Sequence, residues 1–396
     1  MYIKRKIGPE FSKALSMFPV CVLTGARQTG KSTFLRKELP RYNYITFDDP
    51  VQRTFASRDP VGFLKEAAAS DGVILDEIQY VPELLQYIKM DVDMHRSAGR
   101  WILTGSQQFH LMRNISESLA GRAVLFDLAP FCSSELPGET VLDQLIWNGL
   151  YPEPALNPER REFWLRSYIQ TYLERDIRQL GNVSDIHSFE TLIRLCAARH
   201  GNELNIAGLS RESGVAAITA KKWIGLMESC YFLFLLEPFH RNLGKRVVKS
   251  PKIYFMDPAP AAYFTQQSSP GALLAGNMGG AFFEGFIVME AVKCFFNHGR
   301  TPELFFWRSH DGLEVDLIIQ TGGRLYPVEI KLTATPKSAF LDPLNRFREL
   351  AGREMPVHDG LLVCRTEEKI SLPNGNTAIP WKQFYPWLDA LLSASK

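Results

Sequence analysis

Val20-Cys-Val-Leu-Thr-Gly25-Ala-Arg-Gln-Thr-Gly30-Lys31-Ser32-Thr33 runs from an apolar segment through a G-x-x-x-x-G-K-S loop into a helix-like segment. A strand that feeds such a loop, which then feeds a helix, is the context in which this motif cradles phosphate. Gly25 and Gly30 let the backbone approach a polyphosphate. The N–H groups of Ala26, Arg27, Gln28 and Thr29, together with the N-terminus of the helix that opens through Thr33, supply positive potential. Lys31 would reach the β and γ phosphates, and Ser32 would hold Mg²⁺.

A loop of this kind needs a partner for the metal and for the attacking water. Val73-Ile-Leu-Asp76-Glu77 fits, because its three apolar residues read as a buried parallel strand. Asp76 at the strand's end would coordinate Mg²⁺ through water, and Glu77 would polarise the nucleophilic water. A further strand, Trp101-Ile-Leu-Thr104, runs into Gly105-Ser106-Gln107-Gln108. Ser106 there is a candidate sensor of the γ-phosphate, although a polar turn after a buried strand is common. Two readings stand for Arg122, which follows Gly121: an arginine finger or sensor, or a structural ion pair. Arg175 is a second finger candidate.

Segments 20–24, 44–47, 73–75, 101–103 and 123–128 alternate with helical stretches, which predicts a parallel α/β sheet up to about residue 137. Asp48-Asp49-Pro50 reads as a polar strand end closed by a proline. With 396 residues, 45 % hydrophobic and 22 % charged, the chain has room for two or three globular domains. No apolar run approaches the roughly 18 residues of a membrane span, and no signal-peptide region follows Met1, so a cytoplasmic protein is expected. Six cysteines, widely spaced and without a C-x-x-C pair, read as reduced core residues. A net charge of +2 neither demands nor excludes a nucleic-acid partner.

Beyond residue 160, Trp164, Tyr168, Tyr172 and Leu173 recur at helical spacing and read as a core-facing stripe. Residues 204–228 carry two short helical patterns joined at Gly214, a helix-turn-helix signature. Leu209, Val215, Ile218, Trp223, Leu226 and Met227 would be its core, with Arg211, Lys221 and Lys222 outside. The β-rich 231–239 and 253–256 flank a basic run of Arg241, Lys245, Arg246, Lys249 and Lys252, which completes a winged-helix pattern. Such a unit binds duplex DNA through phosphate contacts or serves as a packing and protein-interaction module.

The last third holds a second constellation. Glu284 lies in an apolar helical stretch, and Glu314-Val-Asp316 leads through Gly322-Gly323 to Val328-Glu329-Ile-Lys331. Period-two alternation sets Glu329 and Lys331 on one strand face, where Asp316 would meet them across a hairpin. Two carboxylates sharing Mg²⁺ beside a lysine suit phosphodiester cleavage. A cross-strand ion pair on a solvent face reads the same residues equally well.

Thr24 to Thr33, Leu75-Asp-Glu-Ile-Gln79, Leu103-Thr-Gly-Ser-Gln107, Ser118-Leu-Ala-Gly-Arg122, Tyr172-Leu-Glu-Arg-Asp176 and Glu314-Val-Asp316 with Val328-Glu-Ile-Lys331 together resemble prokaryotic AAA+ ATPases with a C-terminal DUF4143 region. The resemblance spans nearly the whole chain. It implies a P-loop AAA+-like parallel-sheet core with Walker A and Walker B motifs (1–137), a helical and winged-helix domain (138–270), and a PD-(D/E)xK restriction-endonuclease-like α/β domain (271–396) with Glu284, Asp316, Glu329 and Lys331 at its metal site. Gln107 stands where relatives often carry Ser or Asn. The expected function is an ATPase using ATP and Mg²⁺ as a nucleotide-controlled switch that binds DNA or a protein partner, without a membrane and with homo-oligomers in view. The alternative is an ATP-regulated, metal-dependent DNA endonuclease.

Overall fold

Apolar residues fill the first strands on both faces, so those strands must be covered twice. β1 (Val20–Thr24), β2 (Asn43–Thr46), β3 (Val73–Asp76), β4 (Trp101–Thr104) and β5 (Ala123–Asp127) form one parallel sheet in the order β2-β3-β4-β1-β5. Val20, Val22, Val73, Leu75, Trp101 and Leu103 face one layer, while Cys21, Leu23, Ile74 and Ile102 face the other. Helices α1 (Gly8–Leu15) and α2 (Lys31–Glu38) bury Phe11, Phe34 and Leu35 on the second face. On the first face, α3 (Pro50–Arg58), α4 (Pro60–Ala67) and α5 (Leu84–His95) bury Ala56, Phe63, Leu85 and Ile88. This two-sided burial explains why the strands read as continuous apolar runs. Asp49 does more than end a strand. Its carboxylate accepts the Val51 N–H at 2.8 Å and caps α3, with Pro50 in the first turn.

The computed structural model describes residues 2–68, 71–105, 118–139, 141–171, 185–239, 250–353 and 355–395. Ser106, Gln107, Gln108, Tyr172, Leu173, Arg175, Arg241, Lys245, Arg246 and Lys249 lie outside the described residues. Two compact units emerge. The parallel-sheet unit comprises Met1–Phe131 with Ser229–Tyr231 and Phe296–Thr301; the second comprises Cys132–Glu228, Phe232–Phe295 and Pro302–Lys396. Among the described residues no helix is long and apolar enough to cross a membrane. All six cysteines are buried thiols outside any disulfide.

In the second unit, strand pairing runs across the expected division at residue 270. β6 (Leu233–Pro238) and β7 (Lys252–Phe255), expected as the wing of a separate module, join β8 (Leu304–Arg308), β9 (Glu314–Thr321), β10 (Arg324–Ile330), β11 (Leu361–Cys364), β12 (Ile370–Ser371) and β13 (Thr377–Pro380). The eight strands form one sheet in the order β12-β13-β11-β10-β9-β8-β6-β7, with β6 parallel to β8 at Glu237 and Pro238. Strand pairing therefore fuses segments 138–270 and 271–396 into one body. The helices Ile206–Ser213 and Ala217–Ser229 meet at Gly214, whose φ of 74° closes the first of them. Leu209, Trp223 and Met227 are buried there, but Ile218 is 85 % exposed, so it is not part of the core. It lies in the first turn of the second helix, on the face opposite the buried Ala220, Trp223 and Met227.

The helix Gly279–Asn297 is apolar almost all round, and its residues up to Phe295 lie largely buried in this unit. His200 packs against it, stacked on Phe282 at 5.3 Å, and a Cβ on Gly285 would come within 2.2 Å of its Nε2. Glycine is required at 285 because the ring occupies that space. The Phe255 N–H bonds His200 Nδ1 at 3.2 Å, and burial pushes the imidazole down from 6.5 to about 3. A depressed histidine is neutral in the fold, so its contribution is complete above about pH 6.5 and is lost as pH falls toward 3. The unfolding free energy from urea titration should fall by about 2 kcal/mol more between about pH 7.5 and about pH 5 in the parent than in His200→Gln, and equal falls in both would remove this role.

Candidate functional site

In the parallel-sheet unit the loop after β1 is shaped by left-handed backbone. Gly25 (φ 139°), Gln28 (φ 61°) and Gly30 (φ 92°) alternate with ordinary residues, which turns successive N–H groups toward one concavity. A Cβ on Gly25 would lie 2.3 Å from the Leu128 carbonyl oxygen, so no side chain fits. Thr29 Oγ1 donates to the Ala26 carbonyl at 3.0 Å. Lys31 is buried, and its ammonium donates to the Gly25 and Ala26 carbonyls at 2.9 Å each.

Asp76 is the convergence point. Ser32 Oγ donates to its Oδ2 at 2.8 Å, Tyr44 from β2 donates to the same oxygen, and Thr104 from β4 donates to Oδ1. Three strands and one helix N-terminus thus meet on one carboxylate that is 4 % exposed. Burial, and then the adjacent Asp76, hold the Tyr44 phenol well above its ordinary value. Glu77 follows with φ 58°; its N–H reaches Thr104 Oγ1 at 3.3 Å and its carboxylate accepts the Gln79 amide. Lys31, Ser32, Asp76 and Glu77 all lie at the C-terminal edge of the parallel strands, where doubly wound sheets bind ligands. Tyr44 and Thr104 were not read as site residues. Thr104 ends β4 and Tyr44 lies within β2, two residues before the Thr46 that pairs with Asp76, so only parallel strand order, which is not written in the sequence, brings them to the carboxylate.

Arg5 was also missed. It is 4 % exposed, donates to Thr29 O at 2.9 Å and Ala129 O at 2.7 Å, and lies over the Phe131 ring at 4.8 Å. One guanidinium therefore fastens the loop to the segment after β5. Thr24, the residue before Gly25, bonds Asp127 Oδ1 at 2.6 Å and the Tyr231 hydroxyl at 2.8 Å, while that hydroxyl also donates to Asp127.

Arg122 is elsewhere. Its guanidinium forks onto Asp93 of α5, Nε to Oδ1 at 2.5 Å and Nη2 to Oδ2 at 3.0 Å. The hydrogen bond lowers the Asp93 carboxyl below its usual range and raises Arg122. Because β5 runs parallel to β1 with Ala123 beside Val20, Arg122 sits at the sheet edge opposite the loop. Its bond to Asp93 is the structural ion pair that one of the two readings of Arg122 describes.

The second unit gathers the other constellation. Register pairs Val328 with Leu317, which brings Asp316 opposite Glu329. Lys331 Nζ bridges them, 3.0 Å from Asp316 Oδ2 and 2.6 Å from Glu329 Oε1, and the Ile330 N–H bonds Asp316 Oδ2 at 2.8 Å. The solvent-face reading fails, because Asp316 is 5 % and Glu329 3 % exposed. Glu284 bonds Lys252 Nζ at 2.8 Å and the Tyr254 hydroxyl at 2.5 Å, both on Oε1. Burial, and then Asp316, push the Glu284 and Glu329 carboxyls up. Burial opposes the Lys331 charge, but Asp316 and Glu329 outweigh it and hold the ammonium above the lysine range. Glu329 Oε2 is buried with no hydrogen-bond partner, which leaves one hard oxygen open to a cation.

Residues 17–136 match the family described as AAA domain, 139–271 a domain of unknown function (DUF8612), and 279–384 a domain of unknown function (DUF4143). An uncharacterized protein of Mycobacterium tuberculosis, Rv2008c, is 32 % identical over 337 residues, 84 % of this chain and 75 % of its own length. Its counterpart in Mycobacterium bovis, Mb2031c, has the same values. The chain belongs to the AAA-like ATPases with a C-terminal DUF4143 region. Among solved structures, the Walker-type ATPase PABY2304 of Pyrococcus abyssi is 16 % identical, with 67 % of this chain and 96 % of that one covered and a TM-score of 0.44. AMPPCP-bound DnaA from Aquifex aeolicus is 14 % identical, with 56 % and 85 % covered and a TM-score of 0.30. In this AAA/DUF4143 protein, Tyr44→Phe takes one hydroxyl from Asp76. It should lower the stability of the parallel-sheet unit by about 1 kcal/mol in urea denaturation, and an unchanged midpoint would remove the bond from the site.

Proposed function

We propose that this protein is a Mg²⁺-dependent ATPase that works as a nucleotide-controlled switch. The observation that carries the reading is the 2.8 Å bond from Ser32 to Asp76 beside the buried Lys31. Loop N–H groups from Ala26 to Thr33 would cradle the phosphates, and Lys31 would exchange its two carbonyl partners for β and γ oxygens. Mg²⁺ between Ser32 and Asp76 would neutralise the phosphate charge that builds during transfer. Glu77, extended from a left-handed residue and held by Gln79, would polarise the attacking water. Arg122, at the opposite sheet edge, would serve as a finger only for the loop of a neighbouring copy in a homo-oligomer. The partner of the switch is DNA or a protein. Arg211, Lys221 and Lys222 are exposed on the helix pair 206–229, which suits phosphate contacts by a winged-helix-like element.

Lys31→Ala should abolish ATP turnover by purified protein; turnover at the parental rate would overturn the loop assignment. Glu77→Gln should keep nucleotide binding while hydrolysis falls by about 100-fold or more, and loss of binding instead would take Glu77 out of the water-polarising role.

A second reading, a metal-dependent DNA endonuclease regulated by ATP, is favoured by the unpartnered Glu329 Oε2 beside Asp316 and Lys331. In it Asp316, Glu329 and Glu284 would hold Mg²⁺ in a PD-(D/E)xK-like fold, and Lys331 would orient water. Supercoiled and linear DNA incubated with Mg²⁺ and ATP should be nicked by the parent and left intact by Asp316→Ala. Intact DNA in both reactions leaves the switch without a nuclease.

A further inference from the structure

The carboxylate cluster of the second unit contains a cation that the motif does not. Lys252 opens β7, is 3 % exposed, and reaches Glu284 Oε1 at 2.8 Å and Glu314 Oε1 at 2.5 Å. Tyr254, two residues on and so on the same strand face, bonds the same Glu284 oxygen. The ammonium also sits 5.5 Å from the Phe306 ring centroid, a cation–π contact that favours its charged form. A lysine this deeply buried is held charged by its carboxylates, which together with the ring offset its desolvation.

Counted as ionised, Glu284, Glu314, Asp316 and Glu329 carry four negative charges, and Lys252 and Lys331 carry two positive ones. Arg308, 3.9 Å from Glu314, is balanced by its own pair with Glu203. The residue is the charge that one divalent cation neutralises, and Glu329 Oε2 is the buried oxygen left for it. We propose that Lys252 takes the place of a second metal ion: it holds Glu284 and Glu314 and limits the site to the single divalent cation that Asp316, Glu329 and Glu284 would hold. This inference rests on the metal reading of the same residues. Lys252 touches neither substrate nor metal in this arrangement, so it is a positioning residue. It acts by setting the field at the Asp316 and Glu329 oxygens and by fixing the carboxylate of Glu284.

The charge count orders a set of variants. Lys252→Met leaves one more negative charge, Glu284→Gln leaves one fewer, and the double variant restores the parental residue. Mn²⁺ binding to the nucleotide-free full chain, followed by the electron paramagnetic resonance signal of the free ion at about pH 8, reads all of them. The parent should bind one Mn²⁺ that Asp316→Asn loses. Lys252→Met should bind Mn²⁺ about tenfold more tightly or take a second ion, Glu284→Gln should bind about tenfold more weakly, and Lys252→Met/Glu284→Gln should return to the parental curve. Lys252→Met with the parental curve overturns the role of Lys252 while the metal site stands. Mn²⁺ binding that Asp316→Asn leaves unchanged overturns the metal reading and this inference with it. Should Lys252→Met fail to fold for want of a partner for Glu284, the Glu284→Gln and double variants decide, since identical curves for both and for the parent overturn the proposal.

Discussion

One buried carboxylate organises the parallel-sheet unit. Asp76 accepts hydroxyl protons from Ser32, Tyr44 and Thr104, which come from the helix after the loop and from the strands on either side of β3. A carboxylate at 4 % exposure is tolerable only when its lone pairs are filled, and hydrogen bonds to a charged group contribute about twice as much as neutral ones. The constraint works in both directions. Strand order brings the hydroxyls to Asp76, and Asp76 in turn fixes Ser32 at the start of α2, which sets where the loop ends.

The other end of the loop is fixed by different chemistry. Gly25 passes so close to Leu128 that only a hydrogen fits there, Arg5 ties Thr29 to the segment after β5, and Thr24 is pinned by Asp127 and Tyr231. The loop is therefore held at its start, middle and end before any nucleotide arrives. A preorganised anion cradle loses less ordering entropy on binding than a free loop would.

The second unit handles buried charge by pairing. Lys331 joins Asp316 to Glu329, and Lys252 joins Glu284 to Glu314, so the carboxylates are held apart by ammonium groups. Removing either member of such a pair strands a charge in low dielectric, which costs more than the pair contributes. The same economy appears at Glu290 and Lys293, both about 1 % exposed, where the carboxylate also accepts the Ser133 N–H.

The loop, the Asp76-Glu77 pair and the five apolar strands were legible because each is a local signal: glycine spacing, a run of β-formers, an acidic residue after them. The hairpin meeting of Asp316 with Glu329 was legible for the same reason, since alternation and one glycine turn set the register. The roles of Tyr44, Thr104, Arg5 and Lys252 were not, because each acts on a residue far away in the chain, and only strand order brings them together. Strand pairing alone also decided that β6 and β7 extend the sheet that holds Asp316, and that Arg122 faces Asp93 across the sheet from the loop. Sequence determined which chemical groups the chain carries and in what local pattern; tertiary structure decided which charges meet, because Coulomb and hydrogen-bond energies depend on distance in space and not on separation along the chain.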